Sequence, residues 1–133
     1  MPAPDFSYVT QPLYTEGKEP LEYRLKELYS ADDVRTGAVG LHSYTEDGTT
    51  QKNERYWLKT TLINSDAIVN FEDFEAMNSL GREVAESVLS GISNADQYDR
   101  IQVTFVEVYG DQSGKQMKQN IFYSLPDLEV IEF

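Results

Sequence analysis

Residues 70–91 carry the strongest constraint in the chain, an amphipathic helix whose two ends are written in side-chain chemistry. Phe74, Met77, Gly81, Val84, Ala85, Val88 and Ile92 recur at spacings of three and four, which gathers them into one apolar stripe. Asn70 is a suitable N-cap, and Glu72, Asp73 and Glu75 place negative charge at the positive end of the helix dipole. Gly91 suits a left-handed stop, with Ile92 packing beneath the last turn. Gly81 breaks the stripe at a cost of about 1 kcal/mol relative to Ala, which calls for another element pressed against the backbone there. Glu72, Glu75, Glu83 and Glu86 occupy the opposite face, which must meet water or a basic partner.

Strand patterns surround this helix. Residues 37–44 and 54–63 alternate and flank the polar turn Glu46-Asp47-Gly48, which reads as a hairpin with a long connection. Residues 100–109 and 116–124 form a second pair around Gly110 to Gly114. Upstream, Leu21, Leu25, Leu28 and Tyr29 indicate a short helix beginning near Pro20. Leu128, Val130, Ile131 and Phe133 suggest a last edge strand or a docked tail. The order is α-β-β-α-β-β. Two hairpins flanking a helix predict a two-layer α+β fold, an antiparallel sheet of four or five strands with one long helix across one face. Residues 1–19 read as an N-terminal arm and 20–133 as one α+β domain. A chain of 133 residues is long enough to bury a core without disulfides, and it has no cysteine.

Net charge is −12. Over half of that excess lies in residues 64–99, where eight acids face only Arg82, a local net of −7. Such a field opposes nucleic acid and anionic membrane surfaces, and no apolar run approaches the ~20 residues of a membrane span. The expectation is no nucleic-acid partner and no membrane insertion. Met1-Pro2-Ala3-Pro4-Asp5 lacks the basic and apolar regions of a secretory signal. The expected location is cytoplasmic, or exported if a targeting segment preceded this sequence.

Chemical motifs are sparse. His42 is the sole histidine, with no G-x-S-x-G elbow and no cysteine to pair with it. Residues 94–99 alternate oxygen donors but lack the glycine and terminal glutamate of an EF-hand loop, so solvated turn chemistry accounts for them and no metal is expected. Gly37-Ala38-Val39-Gly40 matches no phosphate-binding pattern and suits a close strand approach or a bulge. No cofactor is implied.

Alternation on the strands is more informative. With Val39, Leu41, Leu58, Leu62, Ile101, Val103, Phe105, Met117 and Ile121 toward the helices, the other face presents His42, Tyr44, Arg55, Trp57, Lys59, Thr104, Val106, Val108, Lys118 and Phe122. Aromatic and basic residues of that kind make binding hot spots. The candidate binding set is Trp57, Tyr44, Arg55, Lys59, His42 and Phe122; against it stands cover of this face by the N-terminal arm, the tail or a second copy. The leading functional expectation is a non-catalytic protein-interaction or ligand-binding module, with a protein partner or self-association. Two alternatives stand beside it. One is an acidic inhibitor or immunity-type protein masking a basic enzyme through Glu72, Glu75, Glu83 and Glu86. The other is a small enzyme with a pocket of carboxylate and tyrosine side chains.

Overall fold

The computed structural model describes residues 11–44, 50–68, 70–108 and 116–131; for 40–44 and 50–56 the backbone and its pairing alone are described. Two helices, α1 (Lys18–Leu28) and α2 (Phe74–Ser90), accompany four strands, β1 (Asp33–Tyr44), β2 (Thr50–Ile63), β3 (Arg100–Val108) and β4 (Gln116–Ser124). The element order is the α-β-β-α-β-β of an α+β fold. The strands lie in sequence order, β1-β2-β3-β4, in one sheet.

That sheet is mixed, which corrects the expectation of an antiparallel one. β1–β2 and β3–β4 are antiparallel hairpins, but β2 and β3 run parallel, Leu58 opposite Ile101 and Leu62 opposite Phe105. The cause is the helix between them. A chain that leaves β2, crosses along α2 and returns beside β2 enters β3 in the same direction, as crossover connections do. There are four strands among the described residues. The tail touches β4 through a single bridge, Tyr123 to Val130, reinforced by bonds from Ile131 N to Phe122 O and from Ser124 N to Glu129 O.

Strand parity places the core. Val34, Leu58, Leu62, Ile101, Val103, Phe105, Ile121 and Tyr123 meet Leu21, Leu25, Met77, Val84, Ala85 and Val88 from the two helices in one buried cluster. Val39 belongs to the other face, because it pairs with Trp57, and Ala38 takes the inward position. The strand starts at Asp33, earlier than its alternation suggests, and the register shifts between Gly40 and His42. The bulge expected near Gly37 to Gly40 is therefore at its far end, while Gly37 itself has open space where a Cβ would stand. On the outer edge of β1, the Thr36 N–H donates to Glu22 Oε2 at 2.7 Å, so α1 satisfies an exposed strand edge.

From Met77 onward the α2 stripe is buried as its periodicity requires, with Met77, Gly81, Val84, Ala85 and Val88 all inward; Phe74, expected to open the stripe, is instead exposed at the first position of the helix. Its cap differs from the one expected. Asp73 is the N-cap and accepts from Ala76 N at 3.2 Å, while Asn70 accepts from Glu72 N in the turn before it. Gly91 ends the helix at φ −99°, outside the left-handed region. It is needed for space, because a Cβ there would press on Leu21. The close approach expected at Gly81 is present: a Cβ would overlap the Tyr123 hydroxyl, which donates to Asn78 O and Oδ1 at 2.9 Å each. Burial pushes the Tyr123 phenol up to about 12, against a smaller opposing effect of Arg82. Among the described residues, no helix is long and apolar enough to cross a membrane.

Candidate ligand-binding cleft

The outward face of the sheet is organised by a side-chain network rather than by apolar packing. Trp57 Nε1–H donates to Gln102 Oε1 at 2.9 Å. Gln102 Nε2 donates in turn to Thr104 Oγ1 and to Asn120 Oδ1, each at 3.0 Å. The Thr104 hydroxyl completes the set by donating to Asn120 Oδ1 at 2.7 Å. Gln102 and Thr104 are buried, so these bonds form where water competes poorly. The register accounts for the convergence: Gln102 lies opposite Lys59 on β2 and Phe122 on β4, and Thr104 opposite Asn120.

Trp57 is thereby held in one orientation. Phe122 meets its ring edge-on with centroids 6.2 Å apart. From the end of β3, the Arg100 guanidinium lies 5.9 Å from the Trp57 ring centroid, a cation–π contact. Arg100 Nε is also 4.0 Å from Asp99 Oδ1, a loose pair whose acid is largely exposed.

Beside Trp57 the sheet ends in a cleft of about 660 Å³. Its walls come from four places: Leu89 near the end of α2, the short 3₁₀ turn Ala95–Gln97 with Tyr98 and Asp99, the first residue of β3, and Leu125 with Pro126 after β4. Local bonds hold these walls. Leu125 N donates to Asp99 O at 2.9 Å, joining the end of β4 to the start of β3. Asn94 is buried and fastens the arm, accepting from Leu13 N at 2.8 Å and donating to Gln11 O at 3.0 Å. The oxygen that opened the calcium-like pattern thus already has a backbone partner. Among the described residues no three His, Cys, Asp or Glu side chains form a metal-binding group.

Of the candidate binding residues, Trp57 and Phe122 come together, and Lys59 lies two positions along β2 from Trp57 on the same face. His42 and Tyr44 pair with Lys52 and Thr50 beyond the register shift. Their side chains and that of Arg55 lie outside the described residues, as does the arm through residue 10. Glu75, Glu83 and Glu86 are exposed on α2, and Glu72 is exposed in the turn just before it. Sequence reasoning missed Arg100, Gln102 and Asn120. Arg100 and Gln102 share the alternation of Thr104, so extending that face four residues toward the start of β3 finds them both. The chain matches no family model, no curated protein and no solved structure.

Proposed function

We propose that the protein is a non-catalytic ligand-binding module whose recognition site is the cleft beside Trp57. The observation that carries this reading is a recess of about 660 Å³ next to an aromatic side chain already fixed by its neighbours. Small-molecule sites commonly span roughly 300–1,000 Å³ and combine apolar walls with a few placed polar groups. Trp57, Leu89, Ala95 and Leu125 supply the walls, and Arg100 supplies the placed polar group. Because the network through Gln102, Thr104 and Asn120 orders Trp57 beforehand, a ligand loses little free energy to side-chain ordering.

A catalytic reading of the same cleft looks to Tyr98, Asp96 and Asp99, all in its lining. Asp96 and Asp99 are exposed to water rather than enclosed by the cleft, so binding is favoured over acid–base work. Calorimetric titration with a neutral apolar probe, 4-phenylbutanol, tests the reading. The wild type should bind it, and Ala95→Phe, which places a ring in the recess, should not. Failure of the wild type to bind, or equal binding by a folded Ala95→Phe variant, would remove the cleft as the site.

A further inference from the structure

The cleft has an acidic rim and a basic interior, and the two predict opposite ligands. Asp96 and Asp99 would favour a cation, whereas Arg100 would favour an anion. Exposure decides between them. The Asp99 side chain is 83% exposed and the Arg100 side chain 29%. Charges open to water interact weakly with a neighbour, while a partly enclosed guanidinium meets its partner with less competition. Among the described residues the Arg100 side chain donates no hydrogen bond; its closest acid contact is the 4.0 Å approach of Nε to Asp99, longer than a hydrogen bond. Its cation–π contact, with Cζ 5.9 Å from the Trp57 ring centroid, places the guanidinium beside the apolar wall.

Resting on the cleft being the binding site, we propose that its ligand is a small ring-bearing molecule ending in a carboxylate. The ring lies against Trp57, Leu89 and Leu125, and the carboxylate is received by the Arg100 guanidinium. Two parallel N–H to oxygen bonds are the geometry that this pairing favours. The overall charge of −12 opposes approach of an anion, but salt screens it beyond about 8 Å at physiological ionic strength, so it slows encounter more than it weakens contact.

The single tryptophan provides the readout. Its fluorescence is titrated with three probes sharing one body: 4-phenylbutyrate, 4-phenylbutanol and 4-phenylbutylammonium. The carboxylate should bind at least about tenfold more tightly than the alcohol, the size of one charge-assisted pair. Arg100→Met should weaken the acid far more than the alcohol, so that the roughly tenfold preference between them disappears, while Arg100→Lys keeps part of the preference. Thermal unfolding of both variants checks that they are folded. Equal or tighter binding of the alcohol or the ammonium would overturn the carboxylate assignment while keeping the cleft. Unchanged acid binding in folded Arg100→Met would do the same. If none of the three probes binds the wild type, the cleft reading falls together with it.

Discussion

The two faces of the sheet are built by different physics from the same four strands. Toward the helices, Leu58, Leu62, Ile101, Val103, Phe105, Ile121 and Tyr123 form a dry layer, and their contribution scales with the apolar area removed from water. Away from the helices, Trp57, Gln102, Thr104 and Asn120 are ordered by directional bonds, and their contribution depends on every donor finding its acceptor. The difference teaches where specificity resides. Apolar packing holds the sheet together and tolerates many sequences of similar volume, whereas the polar network fixes one side chain, Trp57, at the mouth of one cleft.

The sharpest way to break this contrast is to remove volume from the helix side. Phe105 is fully buried, so Phe105→Ala should cost about 3–5 kcal/mol, read from the urea unfolding midpoint. A cost below about 1 kcal/mol would show that the layer is not tightly packed.

Gly81→Ala tests the same side by addition. Alanine's helix propensity favours the variant by about 1 kcal/mol, but the new methyl meets the bonded Tyr123 hydroxyl, and overpacking costs about 1–3 kcal/mol. Net destabilisation is expected; net stabilisation would mean that Tyr123 moves aside freely.

Tyr123 also makes the helix side sensitive to alkali. Its phenol stays neutral in the fold up to about 12, while an unfolded tyrosine ionises near 10.0. The unfolded state therefore releases its proton first, so the contribution of this group is complete below about pH 10 and is lost as pH rises through about 12. Unfolding midpoints at about pH 9 and about pH 11.5 should differ more in wild type than in Tyr123→Phe. An equal difference in both would show that another group governs alkaline stability.

On the outward face, Thr104→Val removes one link of the network without changing shape much. A stability loss of about 1 kcal/mol is expected, together with a displaced Trp57 indole N–H resonance. No change in that resonance would mean that Trp57 is positioned independently of the network.

These two faces were not equally legible in the sequence. Periods of two and three to four residues were enough to mark β2, β3, β4 and the α2 stripe, because burial acts on side chains at those spacings. They also put Trp57 and Phe122 on one side of the sheet. The space required at Gly81 was legible too, since a glycine inside an apolar helical stripe gives up helix propensity and burial together unless a neighbour needs the room. The parallel β2–β3 pairing was not, because it depends on the path of the chain through α2 rather than on any residue within the strands. The choice of Asp73 over Asn70 as cap turned on three residues of backbone path. The cleft was the least legible element. Leu89, Tyr98, Arg100 and Leu125 come from separate segments, and no local spacing announces that the end of α2, the start of β3 and the end of β4 share one wall.

The most direct test of the cleft is a two-dimensional ¹H–¹⁵N spectrum of the labelled protein during titration with 4-phenylbutyrate. The predicted result is a set of saturable shifts at the Trp57 indole N–H, the amides of residues 95–100 and Leu125, with the acidic face of α2 unmoved. Shifts centred on Glu72, Glu75, Glu83 and Glu86, or a spectrum unchanged at saturating probe, would contradict it.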